Sequence, residues 1–182
     1  KGANFRNASL SDADLSQAVL TFANFSKANL GGRSQGHPGP SGAILKGANL
    51  SNANLSNVNL VNARLNQAII EKVDFTNANL GFADLSWSRA AGANFNNAEM
   101  GWMRAYAARM AGATFQGARV SLAQFAGADL SRTNFFGATF LRTDFTQADL
   151  KGASFGDIVA DEVYLEAAKN LPAGLTGAIA DE

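Results

Sequence analysis

The only histidine of the chain, His37, sits in a glycine- and proline-rich stretch, Gly36-His37-Pro38-Gly39, and the sequence has no cysteine. Nucleophilic catalysis with a histidine base needs that histidine close to a serine, threonine or cysteine. Placed in such a stretch, His37 reads as a bystander, and a hydrolytic enzyme is disfavoured. Metal binding needs converging His, Cys or carboxylate ligands. The carboxylates Asp14, Asp74, Asp84, Asp129, Asp144 and Asp149 are instead spread along the chain at one position of a five-residue unit. Turn and ladder hydrogen bonding is the simplest role for them there. Gly152 to Gly156 lacks the strand, spacing and lysine of a phosphate-binding loop. The expectation is therefore no catalytic residue, no cofactor and no metal site.

Composition narrows the classes further. At 182 residues the chain suits one domain with a continuous core. Its apolar set is dominated by Ala, Leu and Phe, which suits tight repetitive packing. Fifteen basic and fifteen acidic side chains cancel, so no broad field steers it to nucleic acid or to an anionic membrane. No run approaches the length of a membrane-spanning segment, so no membrane insertion is expected. A cytoplasmic setting is expected, with export open if a signal preceded Lys1.

The elements that carry these residues repeat with a period of five. Large apolar residues fall at Phe5, Leu10, Leu15, Leu20, Phe25 and Leu30, then from Leu45 in steps of five to Phe155 with few lapses. A small residue, usually Ala, sits two places earlier, with Asp or Asn between, as in Ala13-Asp14-Leu15, Ala48-Asn49-Leu50 and Ala148-Asp149-Leu150. Neither an amphipathic helix nor a simple strand buries every fifth residue, so a regularly turning coil is required.

This A(D/N)LXX pattern over residues 2–157 resembles the pentapeptide repeat family. The resemblance implies an all-β fold: a right-handed quadrilateral parallel β-helix with one unit per side and 20 residues per coil. Leu or Phe and Ala would point inward and the other three positions outward. About seven coils at about 4.8 Å would make a rod about 35 Å long. Inward residues 20 apart should then stack, and Phe75, Phe95, Phe115, Phe135 and Phe155 form such a column. Phe125 and Phe145 fall in a second column and Leu130 and Leu150 in a third.

Between Leu30 and Leu45 the pattern places Arg33, Gln35, Pro38 and Pro40 where inward residues belong. Residues 33–42 therefore read as a loop thrown out from a corner. Splicing them out brings Phe5 and Phe25 into the Phe75 column. The solenoid domain is assigned to 1–157, and 158–182 to a C-terminal helix cap and tail. In that tail Asp161 would cap a helix running to about Lys169, Pro172 and Gly174 would end it, and 173–182 would be irregular. The helix would cover the last coil. Since some members of the resembled family pair through a C-terminal helix, it would also offer a route to a homodimer.

With chemistry absent, function is expected on the surface. Phe82, Trp102 and Leu122 fall in one outward column, with Trp87 and Tyr106 across the adjoining corner and Arg89, Arg104 and Arg109 in the same stretch. An aromatic patch rimmed by charge marks a contact site. A blander alternative is that these side chains cover a locally irregular segment, because Ser88, Ala90, Met103 and Ala105 depart from the inward pattern. The same spacing pairs Asp84 with Arg104, Glu99 with Arg119, and Arg109 with Asp129. The function expected is a non-enzymatic scaffold presenting a rigid surface to a protein partner, with no direct nucleic-acid contact. The resemblance also implies an alternative, a DNA-mimicking inhibitor or protector of a type II topoisomerase, which zero net charge disfavours.

Overall fold

The computed structural model describes residues 1–32 and 41–180. His37 and the rest of 33–40 lie outside the described residues. Elsewhere each five-residue unit forms one side of a right-handed quadrilateral coil. In Ala48-Asn49-Leu50-Ser51-Asn52, Ala48 and Leu50 are fully buried while Asn49 between them faces outward. Ser51 and Asn52 then turn the corner, closed by the Ala53 N–H donating to the Leu50 carbonyl at 2.8 Å. The turn requires a left-handed residue, and Asn52 supplies it at φ 59°. Asn49 Oδ1 fastens the same corner, accepting from the Ser51 amide at 3.0 Å and the Ser51 hydroxyl at 2.8 Å.

Coils are joined by a parallel ladder. The amides of Leu50 and Asn52 donate forward to the carbonyls of Ile69 and Glu71, and the Ile69 amide donates back to Ala48. On most faces each level contributes one bridging residue. On the Glu99 face the ladder widens into three short parallel strands: β1 (Arg119–Ser121), β2 (Thr139–Leu141) and β3 (Val159–Asp161). The four faces are identified below by their bridging residues Asn54, Glu99, Arg104 and Arg109.

The ladder step is 20 residues except across the interruption, where Asp14 pairs with Ile44, Asn24 with Asn54 and Asn29 with Asn59, a step of 30. The chain leaves the coil after Gly32, whose amide donates to Val61, and rejoins at Ala43, whose amide donates to the Leu30 carbonyl at 2.7 Å. That bond stands where the ordinary corner bond would be. The return also needs Gly42, since a Cβ there would collide with the backbone of Asn62 and Ala63.

Phe75, Phe95, Phe115, Phe135 and Phe155 stack with ring centroids 4.7–4.9 Å apart. This is the ladder spacing, at which parallel rings pack offset. Phe5 stacks on Phe25 at 4.6 Å in the same column, with Leu55 filling the level before Phe75. Edge-to-face contacts tie this column to its neighbours, as between Phe115 and Phe125.

The C-terminal reading needs correction. Residues 161–169 do not form a helix. They complete an eighth turn of the coil, with Tyr164 bridged to Asp144 and Lys169 to Asp149, so the column from Asp14 to Tyr164 counts eight levels, as does that from Asn4 to Ser154. Val163, Leu165 and Ala168 continue the inward pattern, and an existing ladder edge outcompetes a solitary helical turn. The helix, α1 (Ala173–Ala180), lies in the stretch expected to be irregular. Pro172 starts it rather than stopping an earlier one: proline needs no amide partner at a helix start, and its carbonyl accepts from Leu175 and Thr176. Leu175 is fully buried, and Gly174 approaches the Phe155 carbonyl so closely that a Cβ would sit 3.0 Å from it. The helix thus closes the end of the core.

Two substitutions probe this packing. Phe115→Ala empties the middle of the column and should cost about 3–5 kcal/mol in chemical denaturation. Ser88→Ala should have the opposite sign. Inward hydroxyls at Thr133 and Thr143 donate to carbonyls at 2.6 Å, whereas Ser88 Oγ is buried without a partner. Replacing it with the Ala present at the equivalent positions 68 and 108 should raise stability by roughly 1–3 kcal/mol.

Candidate functional site

The aromatic residues singled out from the sequence are all exposed, Trp87 at 56% and Trp102 at 52%. They do not merge into one cluster. Phe82 and Trp102 stack with centroids 6.1 Å apart and planes 4° from parallel, on the corner leading into the Arg104 face. Trp87 and Tyr106 meet edge to face at 5.4 Å on the corner leaving it. Asp84, Arg104 and Gln124 occupy the face between them. Leu122 continues the Phe82 column and lines a groove with Trp102.

The segment beneath is regular, which removes the blander alternative. Ser88, Ala90, Met103 and Ala105 are each fully buried at inward positions. The amides of Phe82, Trp87, Trp102 and Leu122 donate to Gly101, Tyr106, Ser121 and Leu141 on the next coil. These four residues take the left-handed corner position, with φ between 56° and 60°. Asn or Gly fills that position in many units and long polar side chains such as Lys27, Gln67 and Arg132 in others; any side chain bulkier than Asn is strained there by about 1 kcal/mol. The rings are therefore not placed for the benefit of the fold.

The arginines divide. Arg89 pairs with Glu71 at 2.7 Å, Arg104 borders a shallow pocket with Phe82 and Trp102, and Arg109 lies beyond the Trp87 corner as the ladder neighbour of Arg89. Of the three expected ion pairs only Glu99–Arg119 forms, at 2.6 Å. Asp84 and Asp129 are held elsewhere: each carboxylate accepts the amide two residues on, from Ser86 and Ser131. The Asp14, Asp74, Asp144 and Asp149 carboxylates do the same. Hydrogen bonding pulls two of these below the usual carboxylate range, Asp14 through the Ser16 hydroxyl and amide, Asp149 through Asn170 and the Lys151 amide. Among the described residues no group of His, Cys, Asp or Glu is arranged to hold a metal, and no helix is long and apolar enough to cross a membrane.

The sequence reading missed Arg142, Asp144, Tyr164 and Glu166, which extend the groove beside Trp102. Assigning 161–169 to a helix hid Tyr164 and Glu166. The signal was present in the inward run Ala160, Val163, Leu165 and Ala168.

The profile described as Pentapeptide repeats matches eight copies, over residues 1–32, 41–71, 71–102, 106–140 and 128–158. The chain belongs to the pentapeptide repeat family. No curated protein matches the sequence. Among solved members of the fold, a trypsin-treated variant of QnrB1, a plasmid-mediated fluoroquinolone resistance protein, superposes with a TM-score of 0.69 at 16% identity, covering 99% of this chain and 93% of that one. HetL, a pentapeptide repeat protein involved in heterocyst differentiation regulation from the cyanobacterium Nostoc sp. strain PCC 7120, gives a TM-score of 0.39 at 22% identity over 92% and 84%. Along this pentapeptide repeat coil the corner side chain ranges from Gly and Asn to Lys and Arg, and at Phe82, Trp87 and Trp102 it is a ring.

Strain relief and ring contact should offset at these corners, since each is about 1 kcal/mol. Trp87→Asn and Trp102→Asn should therefore leave the thermal midpoint within about 4 °C of the parent in calorimetry.

Proposed function

We propose that this pentapeptide repeat protein is a non-enzymatic scaffold that docks a protein partner on the two corners flanking its Arg104 face. The observation that carries the reading is the presence of exposed, paired rings at strained corner positions of a regular ladder. The fold needs the left-handed backbone at each corner but not a large apolar side chain on it, and that choice points to use. Trp and Tyr are favoured anchors because they bury large area while losing little side-chain freedom. A ladder-bound corner also pays little ordering entropy on binding, the usual advantage of a preorganised surface.

The topoisomerase reading lacks an acidic face. The Arg104 face runs Arg64, Asp84, Arg104, Gln124, Asp144, and the Arg109 face runs Arg89, Arg109, Asp129, Asp149, Lys169. Mixed signs of this kind leave no stripe to stand in for a phosphate backbone.

Affinity capture with the parent protein and a Trp87→Ser, Trp102→Ser double variant tests the proposal. Loss of two anchors should reduce partner recovery by at least about tenfold. Unchanged recovery by a variant with the parent's circular dichroism would overturn it.

A further inference from the structure

The groove beginning at Trp102 and Leu122 runs along the rod toward its C-terminal end, enclosing about 490 Å³ and ending against Tyr164 and Glu166. Its charges are uneven. Arg142 is committed to Glu162, with Nε–Oε2 at 2.5 Å and Nη2–Oε1 at 3.2 Å, and this contact draws the Glu162 carboxyl below its usual range. Among the described residues Asp144 and Glu166 have no cationic partner in an ion pair. One end of the groove is thus apolar, formed by the Trp102 ring and Leu122. The other is anionic, with the half-exposed Tyr164 ring beside two carboxylates, of which Asp144 also accepts the Thr146 amide at 2.8 Å.

We infer that this groove binds an extended peptide segment of the partner in which an apolar side chain is followed by Arg or Lys. This rests on the docking reading above and names the chemistry of what docks. Trp102 and Tyr164 lie three coil levels apart, about 14 Å at the ladder spacing, which an extended chain spans in about four residues. An aliphatic or aromatic side chain covers the Trp102 ring and Leu122. Four residues on, and on the same side of the extended chain, a guanidinium or ammonium reaches Asp144 and Glu166, with the Tyr164 ring adding cation–π attraction. The same carboxylates repel an acidic segment, so the site selects by charge as well as by shape.

The test is a titration of the isotope-labelled protein, followed by NMR, with acetyl-Leu-Ala-Ala-Ala-Arg-amide and with its Glu-ended analogue. The Arg peptide should shift the amides of Gln124, Asp144 and Tyr164 and bind at least about tenfold more tightly than the Glu peptide. That advantage should vanish in Asp144→Asn, Glu166→Gln. This variant keeps the fold because Asn holds the same ladder position at residues 49, 54 and 94. Equal binding of the two peptides, no saturable shift with either, or an Arg preference that survives in the double variant would overturn the inference. The two readings fail separately. If the tryptophan variant loses the partner while the peptides bind alike, docking stands and the charge assignment falls. If the Arg preference is present and the partner is retained, the groove stands and the docking corners fall.

Discussion

Donation of a backbone amide to the carbonyl nineteen residues ahead, as from Leu50 to Ile69, is the constraint on which the rest of the structure depends. It holds successive coils at the spacing of parallel strands, and that spacing is also one at which flat rings stack. The Phe75 to Phe155 column follows from it: each inward ring meets another ring one level away. It also explains why the middle residue of most units is short and polar. A side chain there lies flat against the ladder, and Asp or Asn can turn back to accept the amide that starts the corner, as Asn49 does from Ser51.

The corners escape this discipline. They need one left-handed residue and little else, so their side chains can be chosen for reasons outside the fold. Most other units use the freedom for Asn, Gly or a long polar side chain. In Phe82, Trp87, Trp102 and Leu122 it is used for apolar bulk, on backbone that remains bonded to the next coil. A contact surface built this way is both apolar and stiff, a combination that an exposed loop rarely achieves.

The coil was legible in the sequence because burial leaves a mark at every fifth residue, and the step of 30 in the ladder was legible as a break in that mark. Side-chain partnerships were less so. Glu99 and Arg119 met as spacing suggests, because both reach freely into solvent. Asp84 and Arg104 stand on adjacent levels but do not pair, because the shorter carboxylate is already taken by the Ser86 amide. The last coil was misread for a different reason. Asp161 and the apolar residues after it satisfy the local signals of a helix start, whereas the ladder edge that captures them was formed by residues twenty positions earlier. Local propensity yields to a partner already in place, and the helix appears only beyond Pro172, where the coil has run out.

Hydrogen exchange at the aromatic corners tests the central claim of a rigid presenting surface most directly. The amides of Phe82, Trp87, Trp102 and Leu122 carry exposed or partly exposed side chains yet are bonded to the following coil. They should exchange as slowly as the amide of Phe95 in the middle of the core column, opening only with the coil as a whole. Fast exchange at these four, with Phe95 still protected, would mean that the rings ride on a loose segment, and the account of a stiff platform would be wrong.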